Sequence, residues 1–168
     1  MKEVSFNKNV LLSPHFSLGE MTKTTYLTKD GNIPSRVAIE NLRNLCENWL
    51  EDLRYSYNVL YCLEPGDDYA TSPKVEGVVI NSGYRSEEVN RCCGGSPTSN
   101  HLTGCAVDIR VYGIEQAMRY AVILMDYADE TKQDYDEILI ERNKSGGYWL
   151  HFAVRPKDNR RKTMFIQT

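Results

Sequence analysis

The segment Ser99-Asn-His-Leu-Thr-Gly-Cys-Ala-Val-Asp108 sets a histidine, a glycine and an aspartate within ten residues. Downstream, Trp149-Leu150-His151-Phe152 adds a second histidine on a stretch that reads as a strand. The chain has only three histidines, and two of them fall in these motifs. Two imidazoles and one carboxylate make a three-ligand set for a catalytic zinc, with the fourth position left for water. A fold that uses this set must bring the loop at His101, the strand through Asp108 and the strand through His151 to one point. Gly104 allows the backbone to turn between the first two. His151 completes the set if its strand pairs beside that of Asp108. Cys105 is a rival ligand, but three residues before Asp108 on a strand it points to the opposite face.

With 168 residues the chain reads as one domain, 1–168, long enough to close a core without disulfide staples. A net charge of −3 argues against a duplex nucleic-acid partner. The run Arg155 to Lys162 is basic, and reads as a solvated C-terminal segment. No window supplies the roughly 18 apolar residues of a membrane span. The opening MKEVSFNKNVLLSPHFSLGE has neither an apolar run nor a cleavage site of a secretory leader. The expectation is synthesis in the cytoplasm, with delivery by another factor if the substrate lies outside the membrane. The five cysteines include adjacent Cys92 and Cys93 and no CxxC pair, and read as reduced thiols.

Ser17-Leu-Gly-Glu20 has the form of a capping box and predicts a short helix. Pro34-Ser35 introduces a longer one, with Val37, Leu42, Leu45, Cys46, Trp49 and Leu53 on its apolar face. Residues 55–76, with Glu-Pro-Gly-Asp-Asp and Thr-Ser-Pro, read as a loop or insertion. Residues 75–81 and 105–111 read as strands, Ser86 begins a helix that ends near Gly94, and 114–127 is an amphipathic helix that includes Met118. Strands at 137–141 and 148–154 form a hairpin. The expected class is α+β: a small, largely antiparallel sheet with flanking helices and the zinc site on the sheet.

Residues 99–108 match the S-x-H-x-x-G-x-A-x-D signature of the M15 zinc peptidases, the group of D-Ala-D-Ala carboxypeptidases and L-alanyl-D-glutamate endopeptidases. Ser82-Gly-Tyr-Arg85 and Trp149-Leu-His151 also resemble that family, and residues 12–20 resemble its phage-endolysin subgroup. The resemblance implies zinc held by His101, Asp108 and His151, and peptidoglycan stem peptides as substrate. It implies that Arg85 binds a substrate carboxylate or the oxyanion, and that Tyr84 and Ser99 line the substrate site. Many family members carry Glu or Asp three residues before the second histidine. Tyr148 stands there in this chain, and a phenol is a poor base at neutral pH. Glu141, across the hairpin, is the expected replacement, with Asp136 and Glu137 as weaker choices. The alternative is a zinc-containing cell-wall binding module with little or no hydrolysis. His15 reads as structural. The sequence leaves open the bond cut, exopeptidase against endopeptidase, and the oligomeric state.

Overall fold

A computed structural model describes residues 7–168; residues 1–6, which open the segment read for a leader, lie outside the described residues. A short hairpin, β1 (Leu11–Ser13) and β2 (Phe16–Ser17), leads into α1 (Leu18–Met21). The Ser17 hydroxyl accepts from the Glu20 N–H, as a capping residue should.

The helix introduced by Ser35 is longer than its sequence pattern predicts. Ser35 caps α2 (Arg36–Leu45), which runs on through a π turn (Cys46–Leu50) into α3 (Glu51–Tyr61). The extra residue of a π turn rotates the helical face, and Ala38, Leu42, Leu45, Cys46, Trp49, Leu50, Leu53 and Tyr57 all remain buried. The expected loop therefore begins only after Tyr61. Its first part is helical because Asn58, fully buried, accepts from the Glu76 N–H and donates to the Arg54 and Glu76 carbonyls. Val37 leaves the expected apolar face and is 63% exposed.

Strand β3 (Ile80–Ser82) is shorter than the expected 75–81. After α4 (Glu87–Cys92) and a 3-10 turn (Asn100–Thr103) come β4 (Ala106–Arg110), α5 (Ile114–Thr131), β5 (Glu137–Arg142), β6 (Tyr148–Ala153) and β7 (Lys162–Gln167). The fold is α+β, with one five-stranded sheet ordered β3-β4-β6-β5-β7. Every neighbouring pair is antiparallel except β5 and β7. Strand β7 is absent from the sequence reading: as an exposed edge strand it lacks the clean apolar alternation of a half-buried one. Met118 on α5 is 48% exposed, although it was grouped with that helix's apolar members.

One face of the sheet carries Val107, Ile109, Ile138, Ile140, Leu150 and Phe152, all buried in the core. Trp49 packs against Phe152 and Tyr127 at ring-centroid distances of 5.3 and 5.2 Å. The basic run 155–162 is largely exposed, as its reading as a solvated segment expects, and is also tied down by ion pairs. Arg155 and Arg160 pair with Asp136, Arg161 with Asp129 and Asp134, and Lys162 with Glu137. Among the described residues no helix is long and apolar enough to cross a membrane.

Candidate metal centre

Asp108 and His151 are direct cross-strand partners in the β4–β6 ladder, so their side chains leave the same face of the sheet. His101 reaches that face from the 3-10 turn, which Gly104 ends in the left-handed region at φ +72°. A Cβ on Gly104 would lie 2.4 Å from the Ala38 carbonyl oxygen, so the turn rests directly on the backbone of α2. Gly83 makes an equally close approach, with its would-be Cβ 2.3 Å from the Met21 carbonyl oxygen. Its own carbonyl accepts from His101 Nδ1 at 2.6 Å, which leaves the Nε2 lone pair facing inward.

Asp108 Oδ1 lies 3.2 Å from His101 Nε2 and 2.9 Å from His151 Nδ1. One ligand atom from each of the three residues falls within 4.8 Å of the others. Metal–ligand bonds of about 2.0–2.1 Å in a tetrahedron put neighbouring donors roughly 3.3 Å apart, so this donor set fits a divalent ion. The chemistry fits as well: two imidazole nitrogens and a carboxylate oxygen, all buried.

Arg85 donates to the outer Asp108 oxygen through Nη2 and to Ser82 Oγ through Nε at 2.8 Å. Burial raises the Asp108 carboxyl, but the two imidazoles outweigh it and hold the group well below the usual carboxylate range. Burial lowers His151, yet its bonds to Asp108 and Glu137 push it up to about 9. Burial dominates at His101 and lowers it, leaving that ring neutral.

The triad opens into a cavity of about 470 Å³, whose walls also carry Arg85, Ser99, Glu141 and Trp149. Strand register explains Glu141: it faces Trp149 across the hairpin, and Trp149 faces Arg110, so all three share the face of His151. Burial raises the Glu141 carboxyl above its ordinary value. Tyr148, an odd number of residues from His151, belongs to the opposite face and packs against the core. Ser99 caps the 3-10 turn, its hydroxyl accepting from the His101 N–H at 3.3 Å. Tyr84 also packs against the core, and its side chain is not among those lining the cavity.

Of the two weaker base choices, Asp136 is fully buried between Arg155, Arg160 and Asn100. Glu137 lies 3.4 Å from His151 Nε2, behind the ring as seen from the triad. Sequence reasoning missed this placement of Glu137. The signal was its even spacing from Glu141, which puts both carboxylates on one face of β5. Cys105 faces a separate cavity of about 580 Å³ beyond the 3-10 turn, whereas Cys93 lines the triad's cavity. His15 pairs with Glu51 at 2.6 Å, away from the site.

Residues 72–134 match the model of the family described as Peptidase M15. That segment holds Arg85, Ser99, His101 and Asp108; Glu141 and His151 follow it. No curated protein matches the chain. Similarity to the M15 family and a buried His-His-Asp triad together are consistent with a metallopeptidase.

Proposed function

We propose that the protein is a zinc-dependent peptidase of peptidoglycan stem peptides, acting as a D-Ala-D-Ala carboxypeptidase or an L-Ala-D-Glu type endopeptidase. The observation that carries this reading is the meeting of Glu141, Arg85 and the three ligands in one cavity. His101, Asp108 and His151 hold the metal, which when bound polarises the scissile carbonyl and lowers the pKa of its water toward about 7. Glu141 takes the proton of the attacking water and passes it to the leaving amine; a carboxyl raised by burial suits both halves of that transfer. Arg85 is fixed by Ser82 and Asp108, and its Nη1 has no partner among the described residues. In this reading that nitrogen binds a substrate carboxylate or the developing oxyanion, since Arg85 lines the cavity.

A cell-wall binding module without hydrolysis drew its support from Tyr148 in place of a base. Tyr148 packs against the core and Glu141 stands in the cavity, which favours hydrolysis. The test is mass spectrometry of defined muropeptides, including stems ending in D-Ala-D-Ala, incubated with zinc-loaded protein or its His151→Ala variant. A product formed only by the wild type is expected, and its mass names the bond cut. Intact substrate at stoichiometric zinc would overturn the proposal.

A further inference from the structure

Glu137 is surrounded by donors from three parts of the chain. Its Oε2 lies 3.4 Å from His151 Nε2 and accepts from Asn100 Nδ2 at 3.2 Å. Its Oε1 meets Arg160 Nη2 at 3.0 Å and Lys162 Nζ at 3.4 Å. The side chain is only 13% exposed. Asn100 directly precedes the ligand His101, so this one carboxylate joins the turn that carries the first histidine to the strand that carries the second.

The two ligand histidines are oriented in opposite senses. His101 gives its Nδ1 proton to the Gly83 carbonyl and turns Nε2 toward Asp108. His151 turns Nδ1 toward Asp108 and Nε2 toward Glu137. A neutral imidazole carries one proton, and the acceptor beside one nitrogen decides which lone pair faces the metal. A backbone carbonyl makes that choice for His101, whereas a side chain makes it for His151 and is open to substitution.

We propose that Glu137 is a positioning residue: it holds the proton of His151 on Nε2, selects Nδ1 as the metal ligand and thereby sets the zinc affinity of the site. This rests on the reading of His101, Asp108 and His151 as a zinc triad, and not on peptide hydrolysis. Arg160 and Lys162 keep the carboxylate in place. Asn100 couples it to the 3-10 turn, so both histidine-bearing segments are aligned by one group.

The experiment measures zinc affinity by chelator competition on the full chain, for the wild type, Glu137→Ala and Glu137→Gln. Circular dichroism of each apoprotein reports folding. Imidazole ¹⁵N shifts of the zinc-loaded wild type report the tautomers. Glu137→Ala is expected to stay folded and bind zinc about 10- to 100-fold more weakly, the usual effect of removing such a partner. Glu137→Gln, whose amide oxygen still accepts the Nε2 proton, is expected to retain most of the affinity. His151 should show a coordinated Nδ1 and a protonated Nε2, with His101 the reverse. A folded Glu137→Ala protein that holds zinc as tightly as the wild type overturns the proposal, as does coordination through His151 Nε2. Should Glu137→Ala fail to fold, the wild-type tautomer pattern decides. Zinc held in the expected manner without cleavage of any muropeptide would refute the hydrolase reading and leave this role of Glu137 standing.

Discussion

The two faces of the central strands differ by a shift of one residue and carry opposite duties. On β6, Leu150 and Phe152 are buried beneath the helices, while Trp149 and His151, alternating with them, line the cavity. On β4, Val107 and Ile109 flank Asp108 in the same manner. Strand alternation thus lets these seven residues serve as core and chemistry together. A register slip of one residue would exchange the two faces, so the apolar core also fixes where the ligands point.

Substitutions on each face should separate these duties. The largest expected effect is on the core side: Phe152→Ala removes a fully buried ring packed on Trp49 and should cost about 4 kcal/mol of stability in urea denaturation. A loss under about 1 kcal/mol would show that the core face is not a packed unit. On the opposite face, Glu141→Gln should lower kcat about 100- to 1000-fold with zinc content and melting temperature unchanged. Equal loss of zinc would assign Glu141 to the metal rather than to proton transfer. Tyr148→Phe, one position outside the cavity face, should alter the rate by less than about twofold, and a large fall would restore the phenol as a catalytic group.

Asp136, at the end where β5 begins, tests whether the charge cluster belongs to stability or to chemistry. Burial raises its carboxyl, but Arg160, Asn100 and Arg155 outweigh this and hold it below the ordinary 3.8. A depressed folded-state pKa contributes stability above the unfolded value, lost as pH falls through the lower folded one. Asp136→Asn should therefore cost about 3 kcal/mol at pH 7, because it leaves two arginines without their buried partner. The difference from the wild type should shrink below about pH 4, as followed by thermal melts across pH. A gap that stays the same size as pH falls through the whole acid range would point to lost packing instead of lost charge.

Much of the site was legible because its parts are local or lie on strands of plain alternation. His101, Gly104 and Asp108 fall within eight residues, and the hairpin expected over residues 137–154 was enough to set Glu141 across from the His151 strand, although its pairing with Trp149 is known only from the register. What escaped was set by distant contacts. The helix continues to Tyr61 because Asn58 is held by Glu76, eighteen residues on, and nothing in the tyrosine-rich segment announces that partner. Strand β7 pairs with β5 across nineteen intervening residues and exposes much of its surface, so its pattern carries little periodicity. Glu137 was noticed only as a possible base, since its bond to His151 depends on the hairpin and on Arg160 and Lys162 beyond it.

The contacts of Gly83 and Gly104 extend the site's dependence well beyond its ligands. The backbone of α1 touches one glycine through Met21, and that of α2 touches the other through Ala38. The two N-terminal helices therefore gauge the height of the histidine turn above the sheet, although neither donates an atom to the triad. An added methyl at either glycine would lift that turn, and the error would appear as distance between His101 and Asp108. Dimensional tolerance in the metal centre is thus set by backbone-to-backbone contact some sixty residues earlier in the chain, where a substitution would look remote from any chemistry.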